Sequence, residues 1–72
     1  MMPLSMVAAG KKVKLLTVNA GRGLKARLAN MGLVPGVELE VISNSRRGPF
    51  IVAMKETRLL LGRGMAHKIE VE

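Results

Sequence analysis

The fold is decided by residues 24–41, which read LKARLANMGLVPGVELEV. Leu24, Leu28 and Met31 recur at helical spacing, so they lie on one face of a short amphipathic helix. Gly32 is predicted to end this helix, because the residue just past a helix end commonly adopts a left-handed conformation that glycine reaches without a Cβ clash. The segment therefore begins with a helix that stops at a defined position.

A second change of direction follows directly after the helix. Leu33 is expected to fold back against Leu28 once the chain has turned. Pro35 presets the first central position of a type II turn, and Gly36 permits the positive φ that the second central position requires. A strand over residues 37–43 then starts in the new direction. Its apolar residues alternate with glutamates, Val37, Leu39 and Val41 against Glu38 and Glu40.

The rest of the chain is predicted to form short strands around this unit. They are expected over Lys11–Val18, Pro49–Lys55, Leu59–Leu61 and Lys68–Glu72. Asn19 is a candidate N-cap for the helix, and residues 62–66 are expected to form a loop or a single helical turn. About five short strands interrupted by one short helix favour a mainly β fold and a small barrel, because closure removes the edges of short antiparallel sheets. Residues 1–72 suffice for one such domain.

Composition limits the class of function. The 72 residues include no cysteine and one aromatic residue, Phe50, so the core must be aliphatic and thiolate metal ligands are excluded. No apolar run reaches the length of about 20 residues that a membrane helix needs, so we expect a cytoplasmic protein that does not itself span the membrane. His67 has no cysteine to activate and no pair of carboxylates lies in an acid-base frame, so we expect no enzyme.

The order of these segments resembles the FeoA family of ferrous-iron-transport accessory proteins. The most specific part is the Gly-Leu-x-Pro-Gly core at residues 32–36, and the resemblance covers nearly the whole chain. The supporting matches are Leu4-Ser5-Met6, Gly10, Gly48-Pro49, Leu59-Leu60-Leu61 and Met65-Ala66-His67-Lys68-Ile69. Two features depart from the family's pattern: Glu56 stands where the family often has glycine, and Gly62-Arg63-Gly64 occupies a region that is often a more polar helical stretch.

The resemblance implies an SH3-like barrel that acts in the cytoplasm beside FeoB, the membrane protein that carries ferrous iron inward and bears a GTP-binding domain. The chain is then expected to bind and modulate a FeoB-like transporter through a surface of the barrel. FeoA-like domains are also similar to the C-terminal domains of iron- and manganese-dependent repressors. A stand-alone metal-sensing domain is therefore an alternative.

Charge and apolar residues indicate where a partner binds. Twelve Lys and Arg against five acidic residues give a net charge of +7, which favours an anionic partner. An apolar patch rimmed by cations marks an interaction site, because charge speeds the encounter and apolar contacts hold the complex. The predicted docking residues are Arg22, Lys25, Met31 and Leu33, with Arg58 and Arg63 as further candidates.

Two other ligands remain open alternatives. A small basic barrel can bind nucleic acid or the ribosome through phosphates, but barrels that bind single strands stack bases on aromatic side chains. Since this chain has only Phe50, no nucleic acid is expected. The one cofactor that the sequence suggests is a divalent transition metal, which His67 can ligate together with Glu70 or a methionine sulfur. A single imidazole makes that site weak.

Overall fold

Six strands and two short helices make up the structure, a computed structural model that describes all 72 residues, Met1–Glu72. In chain order the elements are β1 (Met2–Pro3), a 3-10 turn (Leu4–Met6), β2 (Lys12–Val18), α1 (Arg22–Asn30), β3 (Glu38–Asn44), β4 (Phe50–Met54), β5 (Thr57–Leu61), α2 (Arg63–His67) and β6 (Ile69–Val71). The strands pair antiparallel in the order β1-β6-β2-β3-β4-β5. The predicted mainly β fold is confirmed.

The sheet wraps around one core to which both helices contribute. The molecule is nearly isotropic, with extents of 28 × 23 × 22 Å, as expected when a sheet curls on itself. Fourteen buried residues form a single cluster, all of them apolar. They are Leu4, Val7, Leu15, Val18, Leu28, Leu33, Leu39, Val41, Phe50, Val52, Leu61, Ala66, Ile69 and Val71.

Two β-bulges bend the sheet around this core. The pairing of β2 with β6 shifts between Leu15 and Thr17, and the pairing of β3 with β4 shifts between Val41 and Ser43. A bulge bends its strand and increases the local twist. In β2 the extra residue puts both Leu15 and Val18 into the core although they are three positions apart. Strict alternation assigns Val18 to the wet face, so periodicity alone gives the wrong side for it.

The predicted helix stop at Gly32 is confirmed, because α1 ends in a Schellman turn. Gly32 has a φ of 94°. Its N–H donates to the Ala29 carbonyl at 2.9 Å, and the Leu33 N–H donates to the Leu28 carbonyl at 2.9 Å. These two bonds satisfy carbonyls that a helix end otherwise leaves free. Leu28 and Leu33, which the turn brings together, are both buried.

The following type II turn is tied to β2 by backbone hydrogen bonds. Gly36 has a φ of 95°, and the Val37 N–H donates to the Val34 carbonyl at 3.2 Å. Leu15 of β2 donates its N–H to the Val37 carbonyl at 2.9 Å and accepts from the Gly36 N–H at 2.8 Å. The end of α1, the turn and the first long strand are therefore joined at one place.

Other boundaries differ from the sequence predictions for local reasons. The N-cap of α1 is Gly21 and no side chain caps the helix, so the expectation of an Asn19 cap is wrong. The Asn19 N–H donates to the Lys68 carbonyl at 2.7 Å, which holds this residue at the end of β2. Residues 63–67 form a short helix, which is one of the two forms expected for residues 62–66. The strand β1, whose two residues pair with β6, is too short for a periodicity signal.

We expect Gly32→Ala to lower the free energy of unfolding by about 1 to 3 kcal/mol, because alanine at positive φ is strained. The new Cβ would also lie 2.9 Å from the Met54 Cε, so the methionine end would have to move. Urea denaturation followed by circular dichroism measures the loss.

Matched variants separate the two causes of this loss. Gly36→Ala has nearly the same φ, but its Cβ meets nothing within 4 Å, so it reports backbone strain alone. A double-mutant cycle of Gly32→Ala with Met54→Ala isolates the side-chain contact. If Gly32→Ala were as stable as the unsubstituted protein, the turn would not depend on glycine.

Candidate functional site

Helix α1 presents a positively charged surface, and no side chain of the helix neutralises it. Arg22, Lys25 and Arg27 are exposed, and the helix contains no acidic residue. Because the helix dipole is positive at the N-terminus, cations in the first turn are unfavourable there. The N-cap Gly21 adds no side-chain acceptor. The N-terminal end of α1 is therefore a concentrated positive potential that suits an anionic group.

The acidic residues lie elsewhere on the molecule. On β3, Glu38 and Glu40 stand opposite Lys14 and Lys12 of β2, and such cross-strand pairs of opposite charge attract each other. Two more glutamates lie in β6 or directly after it, and the fifth lies in the turn between β4 and β5. The net charge of +7 is therefore distributed unevenly, because α1 has cations and no glutamate.

An apolar groove of about 230 Å³ lies beside this positive surface, between α1, β2 and the type II turn. We call it the α1 groove. Lys25 is its only charged side chain. Its rim includes Val34, which is 42% exposed, and Met31 at the C-cap of α1 is 40% exposed. The lining residues are Thr17, Val18, Lys25, Ala29, Leu33, Val34 and Pro35.

Leu33, one of the predicted docking residues, does not have an exposed side chain. Leu33 is only 2% exposed and forms the floor of the α1 groove, because the Schellman turn folds it onto Leu28. Val34 takes the exposed apolar position that the sequence analysis missed. It lines both the α1 groove and a second groove beside Met54. The sequence does indicate that Leu33 is buried, because a leucine that folds back onto the helix is expected to lie in the core.

Arg63 forms two hydrogen bonds within the protein. Its Nη1 donates to the Asn44 Oδ1 at 2.8 Å, and its Nη2 donates to the Ser45 carbonyl. Its guanidinium carbon lies 5.8 Å from the centre of the Phe50 ring, which is a cation–π distance. Arg63 therefore ties α2 to the end of β3, and the structure gives it a stabilising contact in place of the predicted exposed charge.

Asn44 is the centre of this tie and was not singled out by the sequence analysis. Its Nδ2 donates to the Ser5 carbonyl at 3.1 Å and to the Val7 carbonyl at 2.7 Å, while its Oδ1 accepts from Arg63. One amide thus joins the N-terminal segment, β3 and α2. An asparagine beside a polar loop has no sequence signature for this role, because its partners are distant in the chain.

The two remaining predicted residues lie apart from the α1 groove. Arg58 is exposed on β5 and lines neither of the two grooves beside Val34. His67 is exposed at the end of α2, with its Nδ1 3.3 Å from the Ser5 Oγ. The structure brings together no group of three or more His, Cys, Asp or Glu side chains that could hold a metal ion. None of its helices has the length and apolar character needed to cross a membrane.

The curled six-stranded sheet with two short helices defines a small SH3-like barrel. The family profile described as FeoA domain matches residues 2–72. The chain belongs to the FeoA family, whose members are accessory proteins of ferrous iron transport. This is not a known enzyme family.

Individual relatives agree with this assignment. The chain is 40% identical over 72 residues to a protein of Methanocaldococcus jannaschii named as an Fe(2+) transport protein A, covering all of this chain and 87% of that one. It is 32% identical to the FeoA protein of Chlorobium tepidum, with a TM-score of 0.87 over 97% of this chain and 68% of that one. The FeoA of Stenotrophomonas maltophilia, crystallised with zinc, is 25% identical with a TM-score of 0.85, covering all of this chain and 91% of that one.

We expect Asn44→Ala to lower the free energy of unfolding by about 1 to 3 kcal/mol, because it leaves part-buried carbonyls and a guanidinium without their partner. Asn30→Ala, at an exposed position of α1, is the matched control and should cost less than about 0.5 kcal/mol. Urea denaturation of both variants makes the comparison. Equal losses in the two variants would show that the Asn44 bonds contribute nothing.

Proposed function

We propose that this chain binds a FeoB-like ferrous-iron transporter on its cytoplasmic side and modulates it, and that the α1 groove is the docking surface. Membership of the FeoA family supports the process. The observation that carries the choice of surface is on α1, where exposed cations without an acidic neighbour or a side-chain cap flank an apolar groove. An acidic, partly apolar segment is the complementary partner.

The docking surface consists of the α1 groove and two exposed residues outside its lining, Arg22 and Met31, and its charged and apolar halves have different tasks. Arg22 and Lys25 attract an acidic partner over a distance and raise the association rate, an effect that salt screens. Met31 and Val34 offer apolar area whose burial slows dissociation. A partner with carboxylates beside an apolar side chain satisfies both halves at once.

The first turn of α1 also offers backbone donors to such a partner. A helix leaves its first N–H groups without intrahelical acceptors. In α1 the Lys25 N–H donates to the Gly21 carbonyl at 3.0 Å, so the preceding N–H groups, those of residues 22–24, remain directed toward the N-terminal end. A partner carboxylate placed there would accept hydrogen bonds and offset the unfavourable cations of the first turn.

We expect Lys25→Glu to weaken binding to the transporter by about tenfold at low salt, mainly through a slower association. The substitution reverses the only charge in the α1 groove, at an exposed position. Surface plasmon resonance with the transporter in lipid nanodiscs separates the association and dissociation rates.

Arg46→Glu is the matched control for this charge reversal, because Arg46 is exposed in the β3–β4 loop outside the groove and the change in net charge is the same. It should alter the affinity by about twofold or less. Equal losses in both variants would show that net charge and not the α1 groove directs binding. Salt-sensitive binding to RNA or DNA, with no binding to the transporter, would replace the proposal with the nucleic-acid alternative.

We expect Val34→Thr to raise the dissociation rate by about three- to tenfold and to leave the association rate unchanged, because it puts a hydroxyl where a methyl meets the partner. The same binding assay measures both rates. Met6→Gln, at an exposed methionine outside the groove, is the control and should change neither rate. A Val34→Thr variant that dissociates like the unsubstituted chain would remove Val34 from the interface.

A further inference from the structure

The strand β5 is an open edge of the sheet. It pairs with β4 alone, in a regular register that runs from Met54↔Thr57 to Phe50↔Leu61 without a bulge. In a hairpin closed by a two-residue turn, the closing pair is hydrogen bonded and every second pair after it is too. The residues between those pairs, Arg58 and Leu60, therefore point their N–H and C=O groups away from β4.

No other part of the protein forms a hydrogen bond with these outward-pointing N–H and C=O groups. None of the backbone hydrogen bonds outside the regular elements involves Arg58 or Leu60, and no side chain bonds to them. The opposite edge of the sheet is protected, because β1 has only two residues and one of them is Pro3. Proteins usually shorten, bulge or block an edge strand with proline or charge. β5 has five residues and shows little of this protection.

The side chains of β5 reinforce its exposed backbone. Leu60 is 69% exposed although its neighbour Leu61 is in the core. It stands opposite the half-buried Ile51 of β4, so an apolar pair lies on the outer face of the sheet. Arg58, two residues away and exposed, lies on the same face. The edge thus offers main-chain donors and acceptors, one apolar contact and one cation in a row.

We propose that β5 is a strand-addition site, which binds an extended segment of a partner protein whose apolar and acidic side chains alternate. Main-chain bonds to Arg58 and Leu60 supply the affinity, and the alternating side chains supply specificity. The charge identifies the partner, because β5 contains no acidic residue and the chain as a whole is at +7. Pairing of β5 with a second copy of this chain would bring two such positive surfaces together, which disfavours that occupant. The site is separate from the α1 groove and stands whether or not that groove binds the transporter.

A ten-residue probe peptide of alternating Val and Glu, with blocked ends, tests this site. Titrated into the isotope-labelled full chain, it should shift the backbone amide signals of Arg58 and Leu60 and slow their hydrogen exchange by about tenfold. An otherwise identical peptide of alternating Val and Lys should bind at least about tenfold more weakly. Shifts confined to α1, or equal affinity of the two peptides, would overturn the proposal.

Two N-methylated versions of the Val and Glu peptide distinguish strand addition from side-chain docking. In an added strand the N–H groups of alternate residues face β5, so methylating all Val nitrogens or all Glu nitrogens should abolish binding in one version and spare it in the other. Binding through side chains alone would treat both versions alike and would overturn the proposal. This comparison needs no variant of the protein.

Leu60→Pro gives a second test on the protein itself. The Leu60 N–H faces solvent, so proline should be tolerated in the sheet and should reduce peptide binding at least about tenfold. Leu60→Thr, which keeps the N–H, should retain the amide shifts at Arg58. Unchanged peptide binding by Leu60→Pro would contradict the site. The unsubstituted chain could also self-associate without binding the peptide, and Leu60→Pro could abolish that self-association. This result would show that β5 pairs with a second copy of the chain, and it would overturn the proposal of an acidic partner.

Discussion

The backbone conformation of Gly32 is the constraint on which the rest of the structure depends. Its positive φ lets the Leu33 N–H reach the Leu28 carbonyl and places both leucines in the core. In the type II turn that follows, the Gly36 N–H and the Val37 carbonyl both form hydrogen bonds with the backbone of Leu15. Helix, turn and sheet are therefore joined at one place. Any residue with a Cβ at position 32 would clash with Met54 and would also be held in a strained backbone conformation.

This junction explains how α1 can exist with so little stabilisation of its own. The helix has no side-chain cap, no acid in its first turn and a glycine at position 23. Each of these features is unfavourable for an isolated helix. Anchoring at the C-terminal end, through Leu28 and Leu33, replaces them with tertiary packing. Arg22 and Lys25 are exposed and lie outside this packing, which leaves their side chains available to a partner.

The sequence predicts those features that depend on neighbouring residues. The stop at Gly32, the turn at Pro35-Gly36 and the alternation of β3 follow from local stereochemistry, and the structure has all three. The sequence does not predict features that depend on contacts between residues far apart in the chain. The inward side of Val18 needs the bulge against β6, and the tie of Asn44 to Ser5 spans 39 residues. Among three consecutive leucines, only the pairing of β5 with β4 shows that Leu60 is the exposed one.

Hydrogen exchange of the full chain, free and bound to the transporter, tests the central claim most directly. The claim is that α1 is anchored at its C-terminal end and open to a partner at its N-terminal end. Amides of residues 22–24 should exchange fast in the free protein and slow down at least about tenfold on binding, while those of residues 28 and 33 stay slow in both states. Equally slow exchange along the whole helix in the free protein, unchanged by the transporter, would contradict the claim.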